Sequence, residues 1–191
     1  TVTDRSEKLV GELTKDSFTV FEDGAPQTIR DFVLEDRPIT MAIVLDSSGS
    51  MRDAMPEVHQ AGASFVETLR PQDKALVIDF DDKVFLLQEL TSDQAVLKIA
   101  VTSTEALGST ALYDALHAAF RKLRGIDGRK AIVLLSDGDD SSSQFAFERI
   151  LEEAKAESVL LYAIGLGGGS KSGLKDRAET TGGRAFVVAR A

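Results

Sequence analysis

Apolar and polar positions follow two rhythms along this chain. From Met41 to Leu45 the residues are all apolar, and the run ends abruptly in Asp46-Ser47-Ser48-Gly49-Ser50. An uncharged apolar run closed by turn-forming residues predicts a strand buried on both faces, here Thr40–Leu45. A helical spacing follows, with Met55, Val58, Gly62, Phe65, Val66 and Leu69 on one face, Pro56 in the first turn and Pro71 as the stop. Lys74–Phe80 predicts a second strand and Val84–Leu87 a third. The link Asp81-Asp82-Lys83 is too short for a crossover helix, so the third strand should run antiparallel to the second. A helix over 93–101 comes next, then one with Leu112, Leu116, Ala119, Phe120 and Leu123 on its inner face. Lys130–Leu135 predicts another buried strand, ending in Ser136-Asp137-Gly138-Asp139-Asp140. Ser141–Ser143 are candidate N-caps for a helix through Phe147, Ile150, Leu151 and Ala154. Ser158–Ile164 predicts a strand that runs into the glycine loop 165–169. A short helix over Leu174–Thr180 stops at Gly182-Gly183, and Ala185–Val188 predicts the last strand.

Strands alternating with helices from Thr40 onward imply an α/β fold: a doubly wound, Rossmann-like, mostly parallel six-stranded sheet with one antiparallel edge strand. Counting strands from Thr40, the expected order is 3-2-1-4-5-6. Residues 1–38 read differently. Ser17–Glu22 is β-prone, Asp23-Gly24 follows, and Pro26–Leu34 resumes with alternating apolar positions, a hairpin signal. The expected organisation is a β-hairpin appendage over 1–38 and one α/β domain over 39–191.

The 191 residues suit a domain of this size with an appendage. A net charge of −9 argues against nucleic acid or an anionic membrane surface as partner, and no apolar stretch is long enough to insert in a bilayer. There is no Cys, and His59 and His117 are far apart in sequence, which disfavours thiolate or histidine zinc sites.

The chemistry concentrates in the polar loops. In an open α/β sheet, ligands bind at the carboxyl ends of the strands where the winding reverses. Asp46, Ser48 and Ser50, spaced D-x-S-x-S, can turn three oxygen side chains toward one point. In the expected strand order Asp137 faces Asp46 across the crevice, and the loop carrying Thr110 reaches the same place. Oxygen-only donors suit a hard cation such as Mg²⁺, with Mn²⁺ or Ca²⁺ as substitutes. Two aspartates offset the dication and three hydroxyls add no charge, so a coordination position held by water would accept one more anionic oxygen.

These residues, in this order and across residues 40–188, resemble the von Willebrand factor type A domain. The resemblance implies a metal-ion-dependent adhesion site of Asp46, Ser48, Ser50, Thr110 and Asp137. It implies a non-enzymatic, metal-dependent binding module whose protein partner presents an Asp or Glu. The segment Leu13–Gly24 is similar to the one preceding this domain in secreted bacterial members, which implies a secreted or cell-envelope location. Members of the family usually carry a helix after the last strand. The chain stops at Ala191, so it reads as a fragment of a longer protein without that helix. Oligomeric state is left open.

Other features fit less well. Metal-dependent phosphohydrolases of the haloacid dehalogenase type also place an Asp after the first strand, but they need a second acid two residues on. Ser48 stands there, and a hydroxyl is a poor proton donor for that step. Asp79, Asp81 and Asp82 read as a turn beside an edge strand rather than a second metal site. Asp139 and Asp140 are candidates either for supporting hydrogen bonds or for simple helix N-terminal charge. The glycine loop has no G-K-[ST] after it, and His117 reads as structural or exposed.

Overall fold

The computed structural model describes residues 4–6, 10–11, 13–32, 37–166 and 171–187. Residues 1–36 and residues 37–191 form two compact units.

In the first unit, β1 (Val20–Glu22) pairs antiparallel with β2 (Ala25–Gln27), Val20 opposite Gln27. Asp23 and Gly24 both adopt positive φ, 48° and 80°, the backbone of the two-residue turn whose twist matches a hairpin. The pairing is shorter than the alternation predicted. β2 ends at Gln27, and Thr28–Phe32 carries no regular structure. Pro26 has no N–H to donate, and a three-residue hairpin exposed along its length buries too little to extend itself. Phe18 and Phe32 close the unit on itself, with ring centroids 5.4 Å apart. The expected continuation at Val33 and Leu34 lies outside the described residues.

The second unit is the α/β domain. Its elements are β3 (Ile39–Asp46), α1 (Met55–Glu67), β4 (Lys74–Phe80), β5 (Val84–Thr91), α2 (Gln94–Thr102), α3 (Leu112–Leu123), β6 (Arg129–Ser136), α4 (Phe147–Glu157), β7 (Leu160–Gly165), α5 (Lys171–Thr180) and β8 (Arg184–Val187). The sheet order is β5-β4-β3-β6-β7-β8, parallel throughout except for β5. This is the order and sense expected from the sequence.

The apolar run of β3 shows why it carries no charge. Ala42 and Val44 face one core with Leu76, Ile78, Phe80, Ile132 and Leu134, against α3, α4 and α5. Met41, Ile43 and Leu45 face the other with Val77, Val133 and Leu135, against α1 and α2. Both faces of a central parallel strand are covered, so alternation gives way to continuous hydrophobicity. β5 is longer than its apolar core suggested, because Gln88 and Thr91 still register with Val77 and Ala75 through a bulge.

One buried polar group fixes the start of the central strand. The Asp73 carboxylate accepts from Ile39 N at 2.9 Å and takes Arg70 in a fork, Nε at 3.1 Å and Nη2 at 3.1 Å. The Arg70 guanidinium holds the Asp73 carboxyl down at about 2.

Candidate functional site

β3 and β6 are neighbours at the point where the sheet reverses its winding, so their carboxyl ends open the crevice expected of such a fold. At the end of β3 the chain turns on itself. The Asp46 carboxylate accepts from Ser48 N at 3.0 Å, and Ser48 leads into a 3₁₀ turn over Gly49–Ala54. That turn brings the hydroxyls of Ser48 and Ser50 to 3.1 Å from each other. A side chain hydrogen-bonded to the backbone two residues on is the local chemistry that makes Asp a turn former.

Asp46 is fully buried. Its second oxygen accepts from the Ser136 hydroxyl at 2.6 Å, and Ser136 in turn accepts from Gly138 N at 2.9 Å. Burial pushes the Asp46 carboxyl up to about 6. The Ser136 and Ser48 hydrogen bonds oppose that rise, and the nearby charge of Asp137 adds to it. The two aspartates therefore sense each other across the crevice. Asp137 is itself buried, and its carboxylate accepts from Asp139 N at 3.4 Å.

Thr110 arrives on a loop clamped from two sides. On one side Gly49 N donates to Gly108 O at 3.0 Å, Leu107 N to Ser47 O at 2.7 Å and Ala111 N to Asp81 O at 2.7 Å. Gly108 has φ of +68°, a left-handed backbone that favours glycine over a residue with a Cβ. On the other side Thr110 N donates to Ser141 Oγ at 3.1 Å, while Thr110 O accepts from Ser141 N and Ser142 N at 2.9 and 3.0 Å. All five residues expected from the sequence thus sit at the carboxyl edge of β3 and β6 or on the loop clasped to it. Among the described residues no three His, Asp or Glu side chains group closely enough to hold a metal by themselves. The oxygen set is two carboxylates and three hydroxyls.

The serines after Asp140 do something other than expected. α4 begins at Phe147 with Ala146 as its N-cap, without a side-chain cap. Ser143 instead accepts from Tyr113 N at 2.9 Å and Asp114 N at 3.2 Å, capping α3 from another part of the chain. Asp114 reciprocates, accepting from Gln144 N and Phe145 N at 2.8 and 3.0 Å. α3 starts after Ala111, which has no capping side chain, so its free N–H groups draw in the 140–145 loop. Asp140 accepts from the Ser143 hydroxyl and supports the same clasp.

Ser136 is not among the residues the sequence singles out, although its place as the last residue of an apolar strand is the same signal that marks Asp46. Asp79, which reads as part of a turn, lies on β4 and is buried. His117 meets both oxygens of the buried Glu153, at 2.9 and 2.8 Å, and stacks on Phe145 with centroids 4.1 Å apart. Arg149 Nε donates to the same carboxylate at 3.0 Å, so the group ties α3 to α4. Most of the glycine loop, residues 167–169, lies outside the described residues.

The fold agrees with what comparison with known proteins finds. The domain of a conserved hypothetical protein, BatB from Bacteroides thetaiotaomicron, superposes with a TM-score of 0.68 at 20% identity, covering 80% of this chain and 91% of that one. A von Willebrand factor type A protein from Catenulispora acidiphila gives a TM-score of 0.73 at 23% identity, covering 80% of this chain and 39% of that one. The vWF domain of the type V pili tip protein Mfa5 from Porphyromonas gingivalis gives 0.63 at 13% identity, covering 79% and 89%. At these identities the likeness is one of fold. The sequence model of the von Willebrand factor type A domain matches residues 41–139, which run from the first buried strand through both aspartates of the crevice and make up more than half of the chain. The chain belongs to the von Willebrand factor type A domain family.

Proposed function

We propose that this domain is a protein-binding module that recognises a partner's Asp or Glu through a divalent cation, Mg²⁺ in the first instance, held by Asp46, Ser48, Ser50, Thr110 and Asp137. The observation that carries the reading is the state of Asp46. Its carboxylate is fully buried, it lies within electrostatic reach of a second buried carboxylate, and no Lys, Arg or His among the described residues pairs with it. A buried, uncompensated anion beside a like charge is costly to fold around. A cation in the crevice would offset that cost. The donor chemistry fits a hard dication: carboxylate and hydroxyl oxygens, with no sulfur or imidazole.

A bound dication would supply a Lewis-acidic position for an anionic oxygen. The chain's own residues hold that position in place. Ser136 and the Ser48 backbone fix the Asp46 carboxylate, and Ser141 and Ser142 fix the backbone of Thr110. With two carboxylates against two positive charges, the loaded site is close to neutral and open to a further carboxylate. The membrane and pilus proteins among structures of this fold support an envelope or extracellular setting for the intact protein. Ser48, standing where a phosphohydrolase needs an acid, supports binding rather than hydrolysis.

The test is calorimetric titration of the purified protein with Mg²⁺ and Mn²⁺. Saturable binding that Asp46→Ala abolishes in a folded protein is the expected result. Water-proton relaxation of bound Mn²⁺ should then drop on addition of acetate, as a carboxylate displaces water. No saturable binding, or an Asp46→Ala variant that binds as well as the parent, would refute the reading.

A further inference from the structure

Asp79 is the one buried side chain among the described residues with an oxygen, Oδ1, that has no hydrogen-bond partner. It lies on β4 opposite Leu45, one strand away from Asp46 and one residue before the strand ends. It is 8% exposed. Buried polar atoms without partners are rare enough that each needs a reason. The residue type makes the need sharper, since a leucine or valine would continue the core formed by Leu45 and Val77 at no electrostatic cost.

Its surroundings point toward the crevice. The charges of Asp81 and Asp46 both act on the Asp79 carboxylate. Ser47 is the residue between Asp46 and Ser48, and it is gripped from two sides. Its N and Oγ reach Phe80 O at 2.8 and 3.1 Å, and its carbonyl accepts from Leu107 N at 2.7 Å. Ser47 therefore joins β4, the start of the D-x-S-x-S loop and the loop carrying Thr110. No described cation pairs with Asp79, so its charge sits among like charges at the back of the same loop.

We infer that Asp79 is a third carboxylate of the cation site, acting from behind the loop by its charge, without being a ligand. The inference rests on the reading of the crevice as a divalent-cation site. In the metal-free protein Asp79 is a liability, buried within reach of the charges of Asp46 and Asp81. With a dication in front of the loop the same charge becomes attractive. An elementary charge roughly 7–10 Å from a dication, about one strand spacing plus a side chain, changes affinity roughly 5–30-fold at a dielectric between those of protein surface and water.

The experiment is Mg²⁺ titration of Asp79→Asn beside the parent and Asp46→Ala, with unfolding of each in EDTA. Asn has nearly the shape of Asp, so the substitution removes the charge and little else. The expected result is a Kd for Mg²⁺ raised roughly 5–30-fold, with stability in EDTA equal to or above the parent's. A purely structural Asp79 would move stability down and leave the affinity of the folded protein alone. Ser47→Ala, which removes the hydroxyl bond to Phe80 O but keeps the Asp79 charge, should weaken Mg²⁺ less than Asp79→Asn does. An affinity within twofold of the parent, or an Asp79→Asn protein that is less stable in EDTA or does not fold, would overturn the inference while leaving the cation site standing. If the parent itself binds no Mg²⁺, both fall together.

Discussion

Replacing Asp46 by Asn should stabilise the metal-free protein, although Asp46 is the centre of the proposed site. The magnitude follows from burial. The carboxyl is raised from an ordinary 3.8 to about 6, chiefly because its charge is taken out of water. Each tenfold change in the proton affinity of a carboxylate corresponds to about 1.4 kcal/mol, so at pH 7.5 the ionised side chain costs the fold about 3 kcal/mol. Asn carries no charge and can still accept from Ser48 N. It loses the bond in which Ser136 donates at 2.6 Å, worth about 1 kcal/mol. The net gain is about 2 kcal/mol, or roughly 4–8 °C in Tm for a domain of this size. The sign with pH is fixed. A carboxyl whose folded pKa is raised contributes full stability below its unfolded value and loses it as pH climbs through the folded value. The advantage of Asn should therefore shrink between pH 7.5 and 4. Urea unfolding in EDTA across that range measures it. Saturating Mg²⁺ should reverse the order, since only the parent gains binding energy. An Asn variant less stable than the parent at pH 7.5 in EDTA, or an advantage that does not shrink with acid, would refute the reasoning.

Other outcomes follow from the same geometry. Ser143→Ala should cost about 1 kcal/mol in urea unfolding, because the N–H groups of Tyr113 and Asp114 lose the hydroxyl that caps α3; a variant as stable as the parent would deny the cap. Asp73→Ala should destabilise the domain by about 1–2 kcal/mol, allowing for the solvent around Arg70, and the parent should lose that increment as pH falls from about 4 to about 2. Thr110→Ala should weaken Mg²⁺ binding without abolishing it, since water can replace one hydroxyl; calorimetry would show an unchanged Kd if Thr110 is not a ligand. Phosphate esters should not be turned over with Mg²⁺ present, and multiple turnovers that disappear in Asp46→Ala would contradict a binding module.

How much of this was legible in the sequence depended on whether the signal was local. The uncharged runs at Met41–Leu45 and Ala131–Leu135 announced central parallel strands, because only a strand covered on both faces drops its polar positions. The three-residue link at Asp81–Lys83 dictated an antiparallel edge, because no crossover fits in it. Asp23-Gly24 dictated a two-residue turn, since both positions accept positive φ. The abrupt change from apolar strand to Asp46, Ser48 and Ser50 marked the crevice, because strand ends in such a sheet are where polar chemistry can be presented. Contacts between distant segments were not legible. Ser141 and Ser143 look like caps for the helix that follows them, yet they bond the backbone of Thr110 and α3 some thirty residues earlier, where unpaired N–H groups were waiting. Ser136 acquires its role only when β6 is laid beside β3, which brings its hydroxyl to Asp46. Asp79 reads as one more acid in a surface turn, and only the pairing of β4 with β3 and β5 buries it behind the loop. Periodicity and turn chemistry act along the chain, so the sequence carries them directly. Burial and the partners of a polar group depend on which segments the sheet brings together, and that only the tertiary structure decided.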